Sequence, residues 1–216
     1  TANNLAATDQ MLDSPTNNWA TMNPLASSVT TYEEGNLKTT ISTTLPKHAL
    51  GSTPVSTGKW YTEVLYNSTT ANFDALAIGF ISSSYSPSSG ININAFGDGV
   101  LYYCATGEKL VDGANSSYGA TAAPNDIIGV QLNLDDGEIT FYKNNVSLGT
   151  ITTKTFDGAY NLAFYNGTGT GNQVATTNFG QDLILLLIQQ RMTYLLTTLI
   201  LCCGLVTRRI TNKLLE

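Results

Sequence analysis

Residues 125–149 read NDIIGVQLNLDDGEITFYKNNVSLG. Ile128, Val130, Leu132 and Leu134 alternate with Gly129, Gln131, Asn133 and Asp135. A period of two sends successive side chains to opposite faces of a strand, so one set meets a core and the other meets water. Asp135-Asp136-Gly137 then makes a tight turn, with Gly137 free to take the positive φ such turns need. Ile139 and Phe141 resume the inward face while Glu138, Thr140 and Tyr142 point outward. Lys143-Asn144-Asn145 supplies a second turn, and Val146 to Leu148 returns. Two linked hairpins are written here without a helical period, which predicts an all-β, antiparallel two-sheet sandwich.

The bulk properties narrow the function classes. The chain has 216 residues, a net charge of −6 and only 12% charged residues. A phosphate backbone is held by clustered Lys and Arg, and no basic stripe exists here, so nucleic acid is excluded as a partner. Abundant Ser, Thr, Asn and Gly with ordinary apolar content fit exposed β-structure with polar loops, as in viral and extracellular proteins, rather than disorder. Cys104 ends the apolar run from Val100 to Tyr103 and reads as a small core residue; Cys202 and Cys203 are neighbours, so no disulfide framework is suggested. In a chain this rich in Asn, Ser and Thr, chance accounts for the sequons at Asn67, Asn115, Asn145 and Asn166 at least as well as glycosylation does.

The run DIIGVQLNLDDGEITFYKNNVSLG resembles the signature of the SPRY domain, a concanavalin-like β-sandwich that binds partners. Three further pieces follow that family's order: GKWYTEVLY (Gly58 to Tyr66) resembles an early strand, SSYG (Ser116 to Gly119) the small-residue element before the meander, and TNFG (Thr177 to Gly180) the closing strand. The opening DSPTNNWATMNPL (Asp13 to Leu25) and EGNLK (Glu34 to Lys38) are similar to SPRY-containing bacteriophage proteins. Thr62 departs from the family where an aromatic is common. Asn145 departs where glycine is common, although Asn tolerates φ > 0 next best.

The resemblance covers roughly residues 11–180, after a lead-in over 1–10. At Gln181 the composition changes. Residues 1–180 hold no arginine, whereas 181–216 hold three, with eleven leucines and one of the nineteen glycines. Three readings stay open for this tail: a product of frameshift, a membrane helix over 183–206, or a helix packing on the sandwich or a partner subunit. Gln189, Gln190 and Arg191 count against the membrane, where a central charge costs about 2.5–3.5 kcal/mol.

Catalytic chemistry finds little support. The single histidine, His48 in LPKHALG, reads as a loop residue, and no strained nucleophile turn accompanies it. A His/Cys metal site lacks ligands, and the Asp-x-Asp spacing of a calcium loop is absent around Asp98. A glycan hydrolase of this fold class aligns carboxylates at alternate strand positions. Here Glu63 stands alone, while Asp135, Asp136 and Glu138 belong to a solvated turn, and Glu33-Glu34 to another. No cofactor or metal is expected, and no enzyme activity. What remains is binding, on the long polar segments Ser82 to Gly90, Gly107 to Pro124 and Asn166 to Asn172. Tyr85, Tyr118 and Tyr165 lie in or beside them and are the candidate contact residues, in the manner of antibody loops. Packing under its own loop is the competing role for Tyr118, and Trp19 and Trp60 read as core or edge-packing aromatics. The resemblance implies a non-catalytic recognition module of a phage structural or tail-associated protein, located on the virion and facing outward. Its partner would be a host-surface glycan, a host protein or another virion subunit; a homo-oligomer stays open. The rivals are a polysaccharide-degrading tail enzyme and a purely structural decoration domain.

Overall fold

The computed structural model describes residues 19–26, 30–43, 48–67, 76–85, 97–167 and 171–181. The chain divides into units 1–181 and 182–216; the second, and with it every reading of the tail, lies outside the described residues, as do residues 1–18. Among the described residues no helix is long and apolar enough to cross a membrane.

Thirteen strands follow in chain order: β1 (Thr30–Glu33), β2 (Lys38–Ile41), β3 (His48–Leu50), β4 (Lys59–Tyr66), β5 (Leu76–Ser82), β6 (Gly99–Tyr103), β7 (Glu108–Val111), β8 (Ala114–Ser117), β9 (Ile127–Asn133), β10 (Glu138–Lys143), β11 (Val146–Ile151), β12 (Tyr160–Asn166) and β13 (Gln173–Asn178). They form a seven-stranded sheet, β1-β2-β13-β4-β9-β10-β11, and a six-stranded sheet, β3-β12-β5-β6-β7-β8. Every strand pair is antiparallel. The fold is the two-sheet sandwich that the alternation predicts.

The meander sits in the register its pattern requires. Ile139 pairs with Leu132 and Phe141 with Val130, while Thr62 and Val64 of β4 pair with Val130 and Ile128. Ile128, Val130, Leu132, Ile139 and Phe141 are all fully buried. Leu134 also packs against the core, but it is only partly buried. It lies past the end of β9, where its amide donates to Gly58 O at 3.0 Å and the chain is already turning. Gly137 takes φ 71°, and Asn144 and Asn145 take 48° and 66°, so the second hairpin closes on two left-handed residues. A bulge falls between Phe141 and Tyr142 opposite β11, which bends that edge and weakens it as a template for further strands.

The core lies between the sheets. Phe141 meets Tyr102 and Tyr118 from the facing sheet at ring distances of 5.6 and 6.0 Å, with Leu76, Ile78, Phe80, Val100, Leu162 and Phe164 around them. Cys104 is a buried core residue, as expected. The six-stranded sheet breaks the one-wet-face rule. All seven residues of β5 are buried, and Ala77, Ile81, Leu101, Leu110, Ala163 and Tyr165 form a second apolar cluster on its outer side. Asn166 is also buried, its amide donating to the carbonyls of Ile41 and Ser42 at 3.0 and 3.1 Å, so that sequon is spent inside the fold.

Candidate binding cleft

At one end of the sandwich the inward-facing rows run out before the sheets close on each other. The last inward residue of β4 there is Trp60, paired with Leu132 at the far end of β9. It is 47% exposed. A cleft of about 400 Å³ opens beside it, floored by Phe80 and Leu162 and walled by Trp19, Val55, Tyr61 and Phe179.

Local hydrogen bonds fix each wall. The Trp60 indole N–H donates to Thr57 O at 2.7 Å, which sets the ring's angle. Gly58 N donates to Asp135 Oδ1 at 2.8 Å, tying this loop to the β9–β10 turn. Val55 exchanges both backbone bonds with Tyr160, at 2.9 and 2.8 Å. Ser52 N donates to Thr21 O at 2.7 Å and holds the segment that carries Trp19. The six-membered ring of Trp19 packs against Gly180, where a Cβ would stand 2.7 Å from the indole. Gly180 also takes φ +111°, so the position needs glycine for both space and backbone. The turn after β13 is closed by Asn178 Oδ1 accepting from Gly180 N at 2.9 Å and Gln181 Oε1 accepting from Phe179 N at 2.8 Å.

The polar atoms of Trp60 and Thr62 are spent within the fold. Besides the indole, the Thr62 hydroxyl donates to Asn178 O at 2.9 Å; the Tyr61 hydroxyl points to the outer sheet face and donates to Glu63 Oε1 at 3.0 Å. Ring faces and aliphatic surface make up most of what the cleft offers, with the Thr53 hydroxyl and the Trp19 indole N–H beside them. Glu63 lies on the outer sheet face, and burial raises its pKa above the ordinary value despite the bond from Tyr61. Among the described residues no group of three or more His, Cys, Asp or Glu side chains is arranged to hold a metal ion.

Behind the Val55 wall stands a buried cation. The Lys154 side chain is 7% exposed; its ammonium reaches Asp98 Oδ1 at 2.7 Å and Asp112 Oδ1 at 3.2 Å. It also lies 5.8 and 5.7 Å from the ring centres of Phe156 and Tyr160. Burial alone would lower its pKa, but the two carboxylates outweigh burial and raise it. Asp98 shows the mirror image: burial pushes up, while hydrogen bonds from Lys154 and Tyr160 win and hold it low. The staple joins the loops that precede β6, β8 and β12 beside the cleft.

The comparisons with known proteins bear on this geometry. A profile of the SPRY domain matches residues 59–182, more than half of the chain. The chain belongs to the SPRY domain family. Its fold is similar to the SPRY domain of human HERC1 (TM-score 0.61, 14% identity, 74% of this chain and 99% of that one) and to the PSpry domain of TRIM65 (TM-score 0.58, 14% identity, 74% and 92%). It is also similar to stonustoxin (TM-score 0.60, 18% identity, 74% of this chain), of which it spans 27%. At these identities the likeness concerns the fold. No curated protein sequence matches. SPRY domains are in general protein-binding modules.

Within this SPRY domain the three candidate tyrosines do not share one surface. Tyr118 packs on Tyr102 and Phe141, and its hydroxyl donates to Gly149 O and accepts from Phe141 N, the role of a packed loop residue. Tyr165 lies in β12 rather than in a loop and is 5% exposed in the outer apolar cluster. Tyr85 is half-buried against that same cluster and meets His48 edge-on at 6.4 Å. The structure therefore brings Tyr85 and Tyr165 together and leaves Tyr118 in the main core. His48 is corrected from a loop residue to a buried member of β3, its Nε2 3.0 Å from Ala26 O; burial lowers its pKa. The reading of Trp60 as a packing residue missed its exposure: its inward parity promises a core position, yet the facing sheet does not reach that far. Asp135 and Asp136 stand exposed at their turn as expected, Asp136 with Lys59 at 3.2 Å. Asp98, which lacks the spacing of a calcium loop, anchors Lys154.

Proposed function

We propose that this SPRY domain is the recognition module of a phage structural or tail-associated protein, and that its partner seats in the cleft between Trp19, Trp60 and Phe179. The observation that carries the site is a half-exposed tryptophan held rigid in an aromatic recess of about 400 Å³. Binding energy concentrates on such anchored aromatics, and a preformed recess keeps the entropy of ordering small. The loop tyrosines take a secondary place: Tyr118 and Tyr165 are engaged within the fold, and Tyr85 sits on a different face. The phage setting is supported by the likeness of residues 13–25 and 34–38 to SPRY-containing phage proteins. On that setting the partner is a component of the host surface or of the virion, and the domain faces outward from the particle.

Purified protein is tested for retention on the surface polysaccharide and on the surface-protein fraction of the host bacterium, with wild type beside Trp60→Ala and Tyr85→Ala. Retention that falls about tenfold in Trp60→Ala and holds in Tyr85→Ala is the expected result. Retention lost in Tyr85→Ala with Trp60→Ala unaffected overturns the cleft assignment. Sugar released from the polysaccharide by wild type overturns the non-catalytic reading. Peptides of this chain in purified particles are expected by mass spectrometry, and their absence removes the phage setting.

A further inference from the structure

The sandwich is electrically lopsided. The loops at the cleft end carry Asp98, Asp112, Asp135, Asp136, Glu138 and Asp157. Among the described residues of those loops and strand ends, Lys59 and Lys154 are the cations that answer them, and Lys154 is already shared by two aspartates. At the opposite end Glu108 and Asp126 are balanced by Lys109 and Lys143, with Asp126 and Lys143 paired at 3.1 Å. Among the described residues the negative excess thus borders the aromatic recess and is not matched at the far end. Charges of one sign around a low-dielectric recess focus their field on whatever enters it.

Within the recess the chemistry is apolar. The donors of Trp60 and Thr62 are used inside the fold, and the Thr53 hydroxyl and the Trp19 indole N–H are the side-chain polar groups that remain in the lining. A sugar ring entering here finds two side-chain partners, Thr53 and the Trp19 indole, for its several hydroxyls, and a buried polar group left unpaired is costly. A large apolar side chain loses nothing on entry and covers Trp60, Val55 and Phe179.

We infer that the cleft takes a protein partner, through a segment that presents a bulky aromatic or aliphatic side chain flanked by Lys or Arg. This rests on the cleft reading and commits it to one ligand chemistry. The apolar side chain fills the recess beside Trp60. The flanking cations lie over the rim aspartates, where they speed encounter and fix register while the anchor supplies most of the affinity.

Fluorescently labelled, end-capped hexapeptides test it by anisotropy. One has a central Leu-Trp pair between two pairs of lysines, a second the same pair between glutamates, and a third Ser-Gly between lysines. Binding by the first alone is expected, weakened about tenfold by Trp60→Ala and several-fold by the Asp136→Asn/Asp157→Asn double variant. That binding also falls as salt is raised, because the rim charges are exposed. Equal binding of the first two peptides overturns the charge preference. If both also depend on Trp60, the cleft itself stands. Equal binding of the first and third peptides overturns the apolar anchor. Absence of peptide binding, with polysaccharide retained through Trp60, overturns the protein partner and keeps the cleft. Peptide binding unchanged in Trp60→Ala overturns both readings.

Discussion

Replacing Lys154 by methionine keeps the aliphatic stem and removes the ammonium, so it isolates the charge of the staple. The ammonium makes two close contacts, at 2.7 and 3.2 Å, from a side chain that is 7% exposed. A hydrogen bond to a charged partner contributes about 1.5–3 kcal/mol, so two fully buried ones suggest about 3–6 kcal/mol. Asp98 and Asp112 are 39% and 42% exposed, however, and regain water when the lysine goes. Asp98 also keeps the Tyr160 hydroxyl at 3.0 Å, and Asp112 keeps Gly99 N at 3.1 Å. With that screening the expected loss is about 2 kcal/mol, or about 4–8 °C in Tm for a domain of this size.

The pH dependence separates charge from packing. Asp98 has a folded pKa held below its unfolded value. Its contribution is therefore complete above the unfolded pKa, about 3.9, and fades as pH falls through the lower folded value. Urea unfolding of wild type and Lys154→Met should differ fully at neutral pH and converge in acid below about pH 4. Equal stability at neutral pH refutes the staple. A deficit that persists undiminished in acid assigns the effect to the lost packing over Phe156 and Tyr160.

Phe141→Ala should cost about 3–5 kcal/mol, read by chemical denaturation, because the ring is fully buried between Tyr102 and Tyr118; a loss under about 1 kcal/mol would mean the sheets do not meet there. With Cys202 and Cys203 changed to serine, Cys104 should resist a thiol reagent in the native protein and react once unfolded, since it is fully buried and burial pushes its thiol far above the usual range. Native labelling at the rate of a free thiol contradicts that. Glu63 runs opposite to Asp98: burial raises its folded pKa, so its ionised form weighs against the fold at pH above the unfolded value, about 4.3. Glu63→Gln should then be more stable than wild type at neutral pH, with the difference vanishing in acid; a less stable variant at neutral pH would show that the Tyr61 bond outweighs burial.

The meander was legible because a period of two is a local property, and burial on one face ties register to sequence without knowledge of the partner sheet. At Leu134 the inward parity persists one step beyond the ladder, so the side chain packs on the core but is only partly covered. The long apolar run LAIGFI in β5 carried its own signal of a strand covered on both faces. It would have warned that Tyr165, outward by parity in β12, sits among Ala77, Ile81 and Leu101 rather than in water. Lys154 left no such trace. In TITTKTFDG it reads as one charge in a polar loop, and its burial follows from aspartates on two other loops. The cleft is non-local in the same sense, since Trp19, Val55, Trp60 and Phe179 come from four separate segments.

Trp60 is also the position where stability and recognition come apart. Its floor residues Phe80 and Leu162 are buried, and shortening either removes core as well as cleft. Trp19 is pressed on Gly180, so its loss disturbs the closing turn. Trp60 already stands about half in water, its indole bond goes to a neighbouring loop carbonyl, and its pair Leu132 remains covered from the other side. Truncating a half-exposed side chain forfeits only the part of its burial that folding supplies, a smaller loss than the full large-to-small core penalty of about 3–5 kcal/mol. The contact area presented to a partner disappears entirely. A Trp60→Ala protein that keeps most of its unfolding midpoint while losing its ligand is thus what the geometry requires, and a variant that unfolds outright would place Trp60 among the core residues instead.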